Sequence, residues 1–344
     1  MASPPFPFPV TLPLAGLDRV RLWWLRALGP LARPLMRSRE LRVALFGTAS
    51  ILASLALTVV APIALLALGP ILLGVPHAAS DVRFLVMRPG LHRVARFWLL
   101  VVPGLVLATV FADGGWGMLA VAGAALAASG SRARRAVFAV GALALAALGA
   151  SNPLAAALAM AHAHNLVAVL VWWSWRARVH GWHGLPLGAF VLGSCALLSG
   201  ALDPVVAAFG GLGALVGGDA LGTHLAALAP GFPGAWGPRL VLLFAFTQSV
   251  HYGVWLRLLP EEDRAQETPR TFAASFAAWR SDCGDPVVVV TFLLSLGVAL
   301  VAFADVAQAR EGYLRAVFAH GYLELAVVAW LVCEGRWGRA CPAR

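Results

Sequence analysis

The sequence predicts an all-α, polytopic integral membrane protein, a helical bundle with about ten transmembrane helices. Of the 344 residues, 60% are hydrophobic and only 12% are charged, whereas a soluble domain usually carries about 25% charged residues. The apolar residues come in successive runs, many near the length of about 20 residues that crosses the hydrocarbon core. A water-soluble core could not hide this much apolar surface. The composition therefore excludes a soluble enzyme, a disordered chain and a disulfide scaffold.

The charge and the cysteine content agree with this class. The net charge is +10, and every basic residue is an arginine. Cytoplasmic loops of membrane proteins collect positive charge, so this excess requires no nucleic-acid partner. The cysteines form no CxxC pair and indicate reduced thiols rather than a disulfide framework or a zinc ribbon; they are Cys195, Cys283, Cys333 and Cys341.

The N-terminal segment is predicted to lie on the membrane surface rather than within it. Residues 1–16 are Pro-rich and are expected to be a disordered tail. Residues 17–42 carry seven arginines around Trp23 and Trp24, a combination typical of a helix in the headgroup layer. The predicted organisation is a cytoplasmic tail with this interfacial helix (1–42), a transmembrane domain (43–334) and a second cytoplasmic tail (335–344).

Ten apolar runs predict the transmembrane spans. They lie at about 43–69, 71–88, 97–112, 116–131, 136–151, 153–175, 185–203, 239–257, 287–305 and 315–333. With both termini in the cytoplasm, all basic residues except Arg239, Arg310 and Arg315 fall on the inner side. This distribution satisfies the positive-inside rule and predicts location in a bacterial inner membrane.

Two connections are longer than tight turns. Residues 204–238 form a Gly-rich, apolar outer segment, which we expect to contain short surface or re-entrant helices, one of them capped by Asp219. Residues 260–286 lie inside, and aromatic residues recur there at helical spacing from Phe272 to Trp279. They predict a second interfacial helix.

A few ionisable and polar groups fall within the spans, where a charge costs about 2.5–3.5 kcal/mol even on the lenient insertion scale. Histidines occur on four spans, at broadly similar depth. Two of these spans also carry a carboxylate four residues later, on the same helical face. The groups are His77 and Asp81; His162, His164 and Asn165; His251 with Thr247, Gln248 and Tyr252; and His320 and Glu324.

These groups predict a metal site. Histidine is the commonest metal ligand, and histidine with carboxylate and open positions suits non-haem iron. A dication would also stabilise Asp81 and Glu324 as anions. A single membrane histidine is otherwise often a helix–helix hydrogen-bonding residue, and His77–Asp81 and His320–Glu324 could instead be separate ion pairs or a proton relay.

His162 and His164 cannot both face one centre, because two residues rotate an ideal helix by about 200°. Asn165 shares the face of His162, which slightly favours His162 as the ligand. Thr247, Gln248 and Tyr252 flank His251 and are expected to hydrogen-bond the ligands. The remaining histidines are expected to be solvated or interfacial; they are His92, His180, His183 and His224.

One motif resembles a known family. The stretch GVPHAASD, residues 74–81, is similar to the G-x-P-H-x-x-x-D stretch of the Brp/Blh-type membrane β-carotene 15,15'-dioxygenases, although Ala78 stands where that family usually has glycine. The resemblance covers about eight residues and carries over His77 and Asp81. It implies a polytopic bacterial protein that holds iron through membrane histidines and cleaves carotene to retinal.

The sequence thus predicts a membrane-embedded, non-haem oxygenase, with Fe(II) as the expected metal and zinc or a two-metal site as alternatives. Its predicted partners are dioxygen, membrane lipids and a lipid-soluble substrate such as a carotenoid, admitted past the outer segment 204–238. A bis-histidine haem protein is a second hypothesis, although such proteins commonly separate two histidines on one helix by two haem layers. A zinc-dependent membrane hydrolase and a proton-coupled transporter remain further alternatives.

Overall fold

The computed structural model of the chain describes residues 8–176, 181–209 and 220–338. It is all-helical, with 86% helix and no strand in these ranges. The bounds of the α-helices are α1 Phe8–Ala27, α2 Ala32–Arg37, α3 Arg39–Val60, α4 Pro62–Asp81, α5 Ala95–Phe111, α6 Gly114–Ala127, α7 Arg132–Ser151, α8 Pro153–Ser174, α9 Gly184–Ser199, α10 Asp203–Ala208, α11 Ala220–Leu228, α12 Trp236–Gly253, α13 Leu259–Glu262, α14 Phe272–Cys283, α15 Asp285–Ala304, α16 Val306–Ala316 and α17 His320–Glu334.

Seven helical stretches in the described part of the chain are long and apolar enough to cross a membrane. Two further apolar helices, α5 and α6, are shorter, and α12 is 18 residues long but carries more polar side chains. The all-helical class is therefore confirmed and fits a membrane protein with seven candidate spans, whereas the count of ten spans and the position of the termini stay predictions. The seven stretches are Arg39–Val60, Pro62–Met87, Arg132–Ser151, Pro153–Ser174, Gly181–Ser199, Asp285–Ala304 and Val306–Glu334.

The boundary between the first two predicted spans is wrong by about nine residues. The first helix ends at Val60 rather than at 69, and the second begins at Pro62. Proline fits the first helical turn, where its missing N–H has no partner to lose. Pro70, by contrast, lies inside α4.

The N-terminal tail is also corrected. Helix α1 begins at Phe8, within the segment 1–16 that was expected to be disordered. The carboxylate of Asp18 accepts hydrogen bonds from the backbone N–H of Phe272 (2.7 Å) and of Ala273 (3.3 Å). The helix predicted between Phe272 and Trp279 is thus present as α14, and α1 is fastened to its N-terminus.

The outer connection contains the predicted short helices, α10 and α11, while Asp219 lies outside the described residues. Two histidines expected to be solvated or interfacial are instead buried. His183 Nε2 lies 3.1 Å from Glu262 Oε1, and both side chains are buried. His224 on α11 is also buried. His92 is exposed as expected, and His180 is outside the described residues.

The core lies around α12, which packs against α3, α4, α8 and α9. Helix α15 lies at the periphery, where Phe303 is 90% exposed and Leu293 62% exposed. Large apolar side chains on the outside are expected where lipid replaces water. The bundle therefore exposes large apolar side chains on its outside and buries the polar residues of the predicted site among its apolar core.

Candidate metal centre

The first two site residues lie at the end of α4. His77 and Asp81 are one turn apart and almost fully buried, at 1% and 5% exposure, and His77 Nε2 lies 3.9 Å from Asp81 Oδ2. Directly after Asp81 the helix continues as a π-helical segment, Val82–Met87. Such segments are rare and are frequently found at functional sites.

His320 lies on the first turn of α17, and Glu324 follows it one turn later. The Nδ1 atom of His320 lies 2.6 Å from the carbonyl oxygen of Val317, so that carbonyl accepts a hydrogen bond from a protonated Nδ1. This contact fixes the tautomer in which Nε2 carries the free lone pair. Glu324 is fully buried.

Helix α8 contributes His164 and not His162. The Nε2 atom of His164 lies 3.1 Å from Nε2 of His320. The Nε2 atom of His162 lies 3.0 Å from the carbonyl oxygen of Leu228 and faces the opposite side of the helix. The slight preference for His162 as the ligand is therefore wrong. The rotation of α8 is set by packing against its neighbours and not by the position of Asn165.

Helix α12 contributes His251, which is 1% exposed, with its Nε2 atom 3.8 Å from Glu324 Oε1. The next residue, Tyr252, packs its ring 4.8 Å from the ring of His77. Thr247 accepts a hydrogen bond from Asn165 Nδ2 at 3.4 Å, which braces α8 against α12. Gln248 is half-buried on the same helix.

The structure thus brings together four of the five predicted histidines and both predicted carboxylates. We call His77, Asp81, His164, His251, His320 and Glu324 the polar cluster. Imidazole rings of the cluster lie 4.7–5.2 Å apart between centroids. Four helices that are distant in sequence therefore meet at one point in the core.

Two separations within the cluster match those of metal ligands and also of an N–H···N hydrogen bond, whereas the imidazole–carboxylate separations are longer, at 3.5–3.9 Å. His320 Nε2 lies 3.3 Å from His77 Nε2 and 3.1 Å from His164 Nε2. For metal–nitrogen bonds of about 2.0–2.1 Å, two adjacent ligands lie about 2.9–3.4 Å apart, for angles between a right angle and the tetrahedral angle. Both distances fall in this range.

The cluster also leaves buried polar atoms without hydrogen-bond partners. By hydrogen-bond geometry these atoms include both carboxylate oxygens of Asp81 and of Glu324 and both ring nitrogens of His251, although the two carboxyl groups lie beside each other and His251 lies beside the backbone of Asn165. Such groups are costly to bury unless they are paired or coordinate a metal. The donor set, two carboxylates and four imidazoles, fits a divalent transition metal, which would supply the missing partner.

Three residues near the cluster were missed by the sequence analysis. Trp255 follows His251 by one turn, is fully buried and lies beside Glu324. Tyr313 precedes His320 by seven residues, is 5% exposed and lies near Asp81. Ser80 donates a hydrogen bond to the carbonyl oxygen of Trp255 at 2.7 Å. The helical spacing of four residues from His251 was the available signal for Trp255, whereas Tyr313 lies on α16, before the turn that precedes His320, and offered no such signal.

Comparison with protein-family models, with curated proteins and with solved structures finds no match for this chain.

Proposed function

We propose that the protein is a membrane-embedded, non-haem metal-dependent oxygenase that acts on a lipid-soluble substrate. The observation that carries the proposal is the approach of His320 Nε2 to two other imidazoles in the core, at 3.3 Å from His77 Nε2 and 3.1 Å from His164 Nε2. Fe(II) is the metal proposed, because histidine with carboxylate suits non-haem iron. When bound, it would supply a position for dioxygen.

The surroundings of the cluster support a lipid-soluble substrate. The cluster lies among buried helices whose outer surfaces are apolar, so a polar substrate would have to cross hydrocarbon to reach it. A carotenoid is the substrate proposed, on the resemblance of residues 74–81 to the carotene dioxygenase motif. Tyr252 and Trp255 close over His77 and Glu324 and exclude water from the ligands.

The packing of the imidazole rings favours this function over a bis-histidine haem protein. A haem needs two histidines on opposite faces of a wide planar macrocycle. In the cluster the rings contact one another, with centroids 4.7 Å apart for both His164–His251 and His164–His320. Such contacts leave no gap for the macrocycle between them.

The chain's own residues have distinct roles in this proposal. The carbonyl of Val317 orients His320, and the Asn165–Thr247 hydrogen bond holds α8 and α12 in register. Asp81 and Glu324 provide the negative charge that a buried dication requires.

The test of the metal part is elemental analysis of the purified full-length protein. We expect iron in the wild type and a clearly lower content in His77→Ala and in His251→Ala. His162→Ala is the matched control, since His162 lies on α8 two residues from a ligand but faces Leu228; it is expected to keep the wild-type content. A metal-free wild type, or full content in both ligand variants, would contradict the proposal.

The test of the substrate is retinal formation in a carotene-producing host. We expect the wild type to convert carotene and His251→Ala not to do so, while His162→Ala remains active. An iron-containing protein that leaves carotene unchanged would remove the carotenoid but not the oxygenase class. Zinc in place of iron would instead favour the hydrolase alternative.

A further inference from the structure

The polar cluster divides into two groups of mutually close ligand atoms. One group contains His164, His251, His320 and Glu324, and the other contains His77, Asp81 and His320. Within each group the ligand atoms lie within 4.8 Å of one another. Among the described residues no such group includes both His77 and His164. The two groups meet only at His320.

A single ion cannot bind all the residues of both groups at the positions that their ligand atoms have in the structure. Two ligands on opposite sides of a single ion are separated by about 4.2 Å, twice the metal–nitrogen distance. His77 and His164 flank His320, at 3.3 and 3.1 Å from its Nε2 atom, but do not belong to one group. The ligand positions are therefore spread over more space than one coordination sphere occupies.

His320 also cannot be a ligand of two ions at once. Its Nδ1 atom is engaged by the carbonyl oxygen of Val317, and Nε2 offers a single lone pair. Hence His320 completes one group only. If His320 binds with His164, His251 and Glu324, the second group retains His77 and Asp81. If it binds with His77 and Asp81, the second group retains His164, His251 and Glu324.

The carboxylates lie where a bridge would be needed. Asp81 belongs to one group and Glu324 to the other, yet the two carboxyl groups are close neighbours. None of their oxygens makes a hydrogen bond of regular geometry, although each carboxyl group lies within reach of the other and Glu324 also of Trp255. A carboxylate has two oxygens and can bind one ion with each, and two-metal sites hold their ions about 3.5–4 Å apart.

We propose that the cluster is a two-metal centre, with one ion at His77 and Asp81, one at His164, His251 and Glu324, and the two carboxylates between them. The inference rests on the proposed function in that it takes the cluster to bind metal at all. It adds a second ion, so that two adjacent Fe(II) ions, when bound, would be available as electron donors to dioxygen.

The test is the metal-to-protein ratio of full-length protein loaded with Fe(II) and, separately, with Mn(II). We expect two ions per chain in the wild type. Asp81→Asn and His77→Ala should each lower the ratio to one, as should His251→Ala from the other group. The double variant His77→Ala/His251→Ala should bind none. His162→Ala should retain two ions.

Electron paramagnetic resonance of the Mn(II)-loaded wild type gives a readout that does not depend on the folding of any variant. We expect the spectrum of an exchange-coupled pair rather than that of an isolated ion. A ratio of one with an isolated-ion spectrum would overturn the second ion and leave the oxygenase proposal standing. A ratio of zero would overturn both.

Discussion

The choice between His162 and His164 shows how a single residue decides the site. Both histidines lie on α8, and only one of two residues separated by about 200° can face the cluster. On the opposite side of the interface, Gly321 follows His320 and lies against His164. An ideal Cβ atom at Gly321 would lie 2.8 Å from His164 Nδ1, so the absence of a side chain there provides the space that His164 occupies.

We therefore predict that Gly321→Ala weakens metal binding. The added methyl group would meet both His164 Nδ1 and Met160 Cε at 2.8 Å, and overpacking of this kind costs about 1–3 kcal/mol. Displacing a ligand orientation typically lowers metal affinity by about 10–100-fold. Titration of the apoprotein with Fe(II) measures the effect.

The control for this prediction is Gly312→Ala on α16. Its added methyl group would meet nothing within 4 Å, and alanine favours a helix over glycine by about 1 kcal/mol. Metal affinity should be unchanged and thermal stability equal or higher. Equal affinities in both variants would show that His164 does not depend on the space at Gly321.

Among the elements, two of the four ligand-carrying helices, α4 and α12, change from α-helix to π-helix close to the site. Helix α4 becomes π-helical after Asp81, and α12 does so at Val254–Leu258, three residues after His251. The two segments are joined by the hydrogen bond from Ser80 to the carbonyl oxygen of Trp255. A π-turn rotates the residues that follow it relative to an α-helix, so the residues after each segment do not keep the helical phase of the ligands before it.

A charged layer closes the bundle beyond these π-segments. Arg42 donates hydrogen bonds to Glu261 Oε1 from Nε (2.9 Å) and from NH2 (2.6 Å), and both side chains are buried. Arg264 approaches the other oxygen of Glu261 at 2.5 Å. Although burial lowers the pKa of Arg264 to about 10, the side chain is still charged at neutral pH. The layer therefore keeps its ion pairs.

The junction of α14 and α15 offers a pH test of burial. Cys283 is 6% exposed, and burial raises the pKa of its thiol to about 11, against the opposing effect of the neighbouring Arg83. Only the thiolate is nucleophilic, so a raised pKa lowers the reactive fraction at any pH below it. In a chain that keeps Cys283 as its only cysteine, we expect the alkylation rate to rise about tenfold per pH unit up to about pH 11.

A rate that levels off near pH 9 would contradict the burial of this thiol. Repeating the measurement after unfolding in detergent provides the control, because an unfolded thiol should show the ordinary cysteine profile. The folding of the single-cysteine protein is checked by its helical circular dichroism before alkylation.

At the scale of the whole molecule, the arginine distribution predicts which ends of the bundle share a side. The N-terminus, the turn at Gly130 and the C-terminus are predicted to be cytoplasmic, and the turn at Gly231 external. Alkaline phosphatase should be active when inserted at Gly231 and inactive at the other three positions. Green fluorescent protein should give the reverse pattern.

Alkaline phosphatase activity at the C-terminus together with inactivity at the N-terminus would indicate an odd number of spans. In that case one of the short apolar helices, Ala95–Phe111 or Gly114–Ala127, would not cross the membrane. The test discriminates between the two span counts, because removing one span would move every later loop to the opposite side of the membrane.

The all-helical class, the apolar character of the helices and the four helices that carry the histidines could be predicted from the sequence alone. These properties follow from local composition and from the high cost of polar groups in hydrocarbon. The pairs His77–Asp81 and His320–Glu324 followed from the helical repeat alone. Where a helix boundary lay within a continuous apolar run, as at Val60, hydropathy carried no signal and the prediction was wrong, although Pro62 marked the start of the next helix.

Which side chains meet could not be predicted from the sequence and follows from the packed structure. It selected His164 over His162, brought Trp255 and Tyr313 to the carboxylates, and divided the ligands into two groups around His320. These outcomes depend on how each helix is rotated against its neighbours, which is set by long-range packing such as Gly321 against His164. A helical repeat specifies the faces of one helix, whereas the meeting of four faces is a property of the packed bundle.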